Sequence, residues 1–158
     1  MQEVEYTQLI DFLNANTNNI ENIKEQYLLL LSELTSTSYL ETKTFLKNIE
    51  IINQMGIIVI GVITDTSNNS FEIIASGTII VEPKIIRGGK SVGHIEDIVV
   101  AKHMRGKGIS QQILNILKLM ARENNCYKVI LDCDDKVKNI YINNGFNIKS
   151  IQMAEYFN

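Results

Sequence analysis

The chain has 158 residues, 45% of them hydrophobic and 21% charged, with a net charge of −3. That length suits one domain over residues 1–158, with a core that needs no covalent staples. A net acidic chain disfavours nucleic acid as a partner, and no run approaches the ~18 apolar residues of a membrane span.

Residues 1–22 are polar and Asn-rich, and residues 3–9 suit either a strand or a helix. The opening "MQEVEYTQLIDFL" carries acids, and no Lys or Arg precedes Lys24, unlike a signal or transit peptide. "IKEQYLLLLSEL" (23–34) reads as a helix with a broad apolar face, broken by "TSTS". Ser38 and Glu41 have the spacing of a capping box for the next helix. Leu40, Phe45, Leu46, Ile49 and Ile52 carry its periodicity up to Gly56. "IIVIGVIT" (57–64) and "FEIIASGTIIV" (71–81) are β-branched strands joined by the turn residues "DTSNNS". "VGHIEDIVV" (92–100) is a third strand. Ile109, Ile113, Ile116, Leu117 and Met120 then mark one face of a helix running to about residue 124.

"CYKVILDC" (126–133) reads as a strand. A short helix over 136–144 stops at Asn144-Gly145, and "FNIKSIQMAEYF" (146–157) is the expected last strand. Antiparallel strands followed by crossover helices predict an α/β fold, a mixed central sheet with helices on both faces. Cys126 and Cys133 are the only cysteines. A strand would hold them roughly 23 Å apart, beyond the about 7 Å between Cα atoms that a disulfide allows. Free thiols fit a reducing compartment, the cytoplasm.

The chemistry concentrates in "HIEDIVVAKHMRGKGISQQILNILKLM" (94–120). Arg105, Gly106, Lys107 and Gly108 join a strand to a helix. Helix N-termini leave backbone N–H groups unpaired, and glycine lets a phosphate or pyrophosphate approach them. The same glycines also suit a plain turn with solvated basic residues. Gln111 stands where the dinucleotide-binding pattern G-x-G-x-x-G needs its third glycine. "GGKS" (88–91) fails as a nucleotide-binding loop, because Lys84 replaces its first glycine and a strand follows.

Strict alternation sends Glu96 and Asp97 to opposite strand faces. A β-bulge would aim both at one site, and acids among hydrophobic neighbours need a partner or a task. His94 and His103 read as ordinary polar residues, with no metal site expected. Asp132 follows "VIL" at a strand end, where α/β sheets hold ligands, although it could equally cap the next helix. Tyr141 has core spacing with Val137 and Ile140, yet its hydroxyl can donate a proton.

Together, "GHIEDIVV", "RGKGIS", "CYKVILDC", "YINNGF" and "IQM" resemble the GNAT N-acetyltransferase superfamily. The signature R/Q-x-x-G-x-G/A falls on Arg105 to Ser110. Over most of residues 78–153 the chain is most similar to the branch that acetylates glucosamine 6-phosphate, and "ELT" (33–35) matches locally. The resemblance implies a sheet splayed near its middle, with acetyl-CoA as acetyl donor in the splay and no metal. The pantetheine would pair with Ile98, Val99 and Val100. The pyrophosphate would sit on Gly106, Lys107, Gly108, Ile109, Ser110 and Gln111, beside Arg105. Tyr141 and Asn143 would also contact the cofactor.

By position, Thr35, Lys84, Arg87, Glu96 and Asp97 match contacts to D-glucosamine 6-phosphate, as do Tyr127, Lys128 and Asp132. The resemblance further implies a homodimer with sugar-phosphate sites near the subunit boundary, and a product leading toward UDP-N-acetylglucosamine. Asp132 would orient the amine and help to remove its proton. Backbone N–H groups of the splayed strand would meet the oxyanion. Tyr141 would protonate the departing thiolate. Two departures stand out: Ser110 replaces the last Gly/Ala of the signature, and "MAEYFN" lacks a basic residue that some relatives carry there. A different primary amine as acceptor, or a non-catalytic acyl-CoA-binding module, are the competing readings.

Overall fold

Two β-branched runs build the centre of the sheet. The computed structural model describes residues 3–157. Strand β2 (Gly56–Asp65) turns through "DTSNNS" into β3 (Ser70–Pro83), and the two pair antiparallel. Asp65 closes that turn by accepting from the Ser67 N–H at 2.9 Å. β1 (Glu5–Gln8) flanks β2 antiparallel, and β4 (Ser91–Val100) flanks β3 antiparallel. β5 (Cys126–Ile130) lies parallel to β4 at the other edge, giving the order β1-β2-β3-β4-β5. The parallel pairing is made possible by the crossover helix α4 (Ile109–Glu123).

Three helices precede β2: α1 (Leu9–Ala15), α2 (Ile20–Leu31) and α3 (Thr42–Met55). α5 (Lys138–Asn143) follows β5. Adjacent residues of β3 show that helices cover both sheet faces. The Ser76 hydroxyl meets Tyr27 of α2, whereas a Cβ on Gly77 would collide with Ile113 and Leu117 of α4. Neighbours on a strand point to opposite faces, so α2 and α4 lie on opposite sides. The mixed α/β sheet expected from the sequence is therefore present. Of the two readings for residues 3–9 the strand is the one that forms, over Glu5–Gln8, and α1 begins at Leu9.

Four local expectations change. α3 starts at Thr42 with Glu41 as its cap, and no side chain caps it, so Ser38 and Glu41 form no capping box. A clamp to α2 takes over at this helix start. Thr42 Oγ1 donates to Glu21 and accepts from Lys24 Nζ at 2.8 Å. Lys24 is only 6% exposed and is neutralised by Glu21 at 2.7 Å. β5 ends at Ile130, before Leu131-Asp132-Cys133. The helix expected over 136–144 divides into a 3-10 turn, Asp135–Val137, and α5.

The last strand does not form, and residues 147–157 are irregular. Their alternating apolar residues find no face within this chain: Ile151 and Met153 are each 91% exposed. A strand without a ladder partner or a buried face has nothing to hold it. Among the described residues, no helix is long and apolar enough to cross a membrane.

Gly56 marks where α3 gives way to β2, and the carbonyl oxygen of Ile79 lies 1.7 Å from where a Cβ would sit. Backbone cannot yield as a side chain tip can. Gly56→Ala should therefore destabilise the chain by about 4 kcal/mol or more, measured as a fall in the urea midpoint.

Candidate active site

β4 and β5 separate halfway along β4. Their pairing ends at His94 opposite Ile130, while β4 runs on to Val100 against β3. Beyond His94, the β5 side of β4 has no strand partner, and Ile98, Val99 and Val100 lie along that open edge. A peptide-like ligand can complete a ladder there.

The same stretch contains the expected bulge. Thr78 lies opposite Glu96 but Ser76 lies opposite Val99, so β4 carries one extra residue. Asp97 takes the strain in a left-handed conformation, φ 53°. Alternation breaks, and both Glu96 and Asp97 become exposed. Burial, then Asp97, then Asp132 hold the Glu96 carboxyl above the usual carboxylate range. The three acids thus act on one region, although they come from β4 and from the end of β5. Asp132 is oriented by Gln152, whose Nε2 donates to Oδ2 at 3.0 Å. Beneath the bulge, the Ser76 hydroxyl donates to Tyr27 Oη at 3.3 Å. Burial pushes the Tyr27 hydroxyl up to about 12.

The basic turn forms just beyond the C-terminal end of β4. Gly106 and Gly108 have φ of 77° and 76°, and nothing lies within 4 Å of where their Cβ atoms would be. Gly108 caps α4, and no side chain bonds the first-turn N–H groups. Those amides, continuing through Ile109, Ser110 and Gln111, fit an anion. Arg105 is already engaged. Its Nε donates to the Val100 carbonyl at 2.9 Å and its Nη2 to Glu33 at 2.8 Å. Glu33 also accepts from the Lys102 N–H at 3.3 Å. Arg105 therefore fastens the turn to α2's end. Lys107 rests on Met104 Sδ at 3.3 Å, a weak acceptor that leaves its charge for a ligand.

The remaining predicted residues form two groups. Arg87 and Lys128 approach the Tyr127 ring at 5.7 and 5.5 Å from its centroid. Lys84 pairs with Glu82, which also meets His94 Nε2 at 2.7 Å. Those partners, Lys84 first, hold the Glu82 carboxyl below its usual range. Tyr141 is half-buried, with its ring edge-on to Phe146 at 6.0 Å. Burial raises its hydroxyl, and the neighbouring Cys133 adds to the shift. Asn143 is exposed at the end of α5. Thr35 is exposed in the loop after α2, and among the described residues no side-chain hydrogen bond joins it to the Arg87 group.

His103 pairs with Glu72 at 3.1 Å. Among the described residues, no group of three or more His, Cys, Asp or Glu could hold a metal. A cavity of about 330 Å³ between β1, β2 and α4 includes none of the predicted site residues. The splay, rather than that apolar volume, gathers the chemistry. Glu33, Gln152 and Tyr27 were not foreseen. Each acts through a partner far away in sequence, and only the "ELT" match gave a hint of the first.

Residues 26–146 match the Acetyltransferase (GNAT) family. The chain belongs to the GNAT acetyltransferase family. A probable glucosamine 6-phosphate N-acetyltransferase 2 of Oryza sativa is 43% identical over 99 residues, covering 63% of this chain and 60% of that protein. The glucosamine 6-phosphate N-acetyltransferase of Arabidopsis thaliana is 35% identical over 87% of this chain and 92% of its own. The crystal structure of the Arabidopsis thaliana enzyme superposes with a TM-score of 0.82 at 29% identity, over 99% of this chain and all of that one. The GNAT fold accounts for the parted strands and the glycine turn together.

The acidic cluster has a pH signature. A raised carboxyl adds stability that is fully present below its unfolded pKa and is lost as pH rises through the folded one. Glu96→Gln should therefore melt above the wild type at neutral pH. The gap should close as pH falls through the raised Glu96 value toward the ordinary glutamate range. Thermal melts of both proteins across that window check it, and an equal gap at every pH would contradict it.

Proposed function

We propose that this GNAT acetyltransferase moves acetyl from acetyl-CoA to the 2-amino group of D-glucosamine 6-phosphate, giving N-acetyl-D-glucosamine 6-phosphate and CoA. The β4 bulge carries this reading. With it, Glu96 and Asp97 are both exposed, and Asp97 and Asp132 both raise the Glu96 carboxyl, a set suited to an amine. Arg87 and Lys128 gather at Tyr127, a set suited to a phosphate. The names of the Oryza and Arabidopsis relatives agree with that acceptor.

Acetyl-CoA supplies the activated acetyl thioester. The amides at the start of α4, with Lys107, hold its pyrophosphate, and the open edge at Ile98, Val99 and Val100 pairs with its pantetheine. Asp132 orients the acceptor amine and takes its proton, with Gln152 fixing the carboxylate. Tyr141 Oη returns a proton to the leaving sulfur. Its raised pKa keeps it protonated at neutral pH. Holding both reactants in one splay replaces a bimolecular encounter with a local one.

CoA release should appear with glucosamine 6-phosphate and fall sharply with unphosphorylated glucosamine. Asp132→Ala should lower kcat by about 100-fold with little change in acetyl-CoA binding. Equal rates with both sugars would point to another primary amine. Release with neither would leave an acyl-CoA-binding module.

The active form is a cytoplasmic homodimer in this proposal. Two exposed features support a second copy: the open outer edge of β5 and the apolar tail with Ile148, Ile151 and Met153. A partner would also supply what "MAEYFN" lacks near the sugar phosphate. Light scattering should return a dimer, and Ile151→Glu with Met153→Glu should give a monomer; a wild-type monomer at micromolar concentration would refute it.

A further inference from the structure

Lys118 lies on α4, about two and a half turns beyond the pyrophosphate end, roughly 14 Å along the axis from Ile109. It is half-buried and has no carboxylate partner among the described residues. Its ammonium instead donates to the Asn144 carbonyl at the end of α5. It also lies 4.8 Å from the centre of the Phe146 ring. A cation at a helix C-terminus answers the exposed carbonyls, and an aromatic face attracts it further.

That grip reaches Tyr141 by two routes. The Asn144 and Phe146 N–H groups both donate to the Tyr141 carbonyl, at 2.9 and 3.1 Å. The Phe146 ring meets the Tyr141 ring edge-on, at 84°. Tyr141 and Phe146 also pack against the hydrophobic core, but among the described residues no strand follows to secure the segment.

We propose that Lys118 is a positioning residue for Tyr141, fastening the proton donor to the helix that holds the donor's pyrophosphate. Both ends of acetyl-CoA are then referred to one rigid element, α4. The inference rests on the role given to Tyr141 above. Burial, with Arg122 beside it, lowers the Lys118 pKa, which fits an ammonium placed for its geometry and partly stripped of water.

A double-mutant cycle with Tyr141→Phe tests it, following CoA release by the full chain. Lys118→Met should lower kcat roughly tenfold, with both KM values within about twofold of wild type. Lys118→Arg should restore most of the rate. In the Tyr141→Phe background, Lys118→Met should add less than about a twofold loss, since the group it positions is gone. Should Lys118→Met fail to fold, as judged by circular dichroism, Lys118→Gln enters the same cycle with its donor shortened. A slow Tyr141→Phe beside a normal Lys118→Met, or losses that multiply, would overturn the positioning role alone. A Tyr141→Phe enzyme with wild-type kcat would remove the proton-donor role and this inference together.

Discussion

The parting of β4 from β5 is the constraint on which the rest of the site depends. Parallel pairing holds the two strands only from Ser91 to His94, with a register shift at its start. Beyond that point the β4 backbone has no strand partner on one side among the described residues, although Arg105 Nε takes up the Val100 carbonyl. β3 continues to hold the opposite side through the bulge, so the open edge does not collapse. Tyr27 and Ser76 fill the space beneath with paired hydroxyls, and Gly77 lets Ile98 and Ile113 close together on the other face. The gap is thus a rigid feature, packed on both faces and open along one edge.

Around that edge, charges differ less in number than in availability. Glu33 consumes the guanidinium of Arg105, and Glu82 consumes Lys84 and His94. Glu96 and Asp97 make no ion pair among the described residues, and their mutual repulsion is stored where an ammonium would relieve it. A cationic amine therefore gains more from this site than the exposure of the acids alone suggests. Lys107 and the α4 amides are the counterpart at the phosphate end. The net charge of −3 says nothing of this division, because Glu96 and Asp97 lie within β4 and the cationic turn follows it.

The sequence showed most clearly those parts whose physics is local. β-branched runs, the glycine turn and the helical period of α4 needed no distant partner. The bulge at Glu96-Asp97 was readable because two adjacent acids inside a hydrophobic strand conflict with alternation. The tail failed for the opposite reason: "FNIKSIQMAEYF" has strand alternation, but its apolar residues find no face to pack on among the described residues. Ser38 and Glu41 failed because Thr42, Glu21 and Lys24 form a tertiary clamp that outcompetes a local cap. Arg105 was read as a phosphate ligand by its motif, yet Glu33, 72 positions earlier, sets its direction.

The two ends of the site are held by different means. At the proposed pyrophosphate end the donors are backbone amides, fixed by the helix itself and insensitive to most side-chain changes. At the proposed sulfur end, Asp132 and Cys133 follow β5 without regular structure and Tyr141 lies on the short helix α5, with single side chains beside them: Gln152 on Asp132, Phe146 at Tyr141, Lys118 on Asn144. Displacement of a reacting group by even an ångström costs rate steeply, whereas a phosphate tolerates small shifts of its cradle. Substitutions at the first end should therefore register in affinity and those at the second in turnover. Lys118 belongs to the helix of the first end and contacts the segment of the second, so the proposed proton donor and the proposed pyrophosphate cradle share α4 as their support.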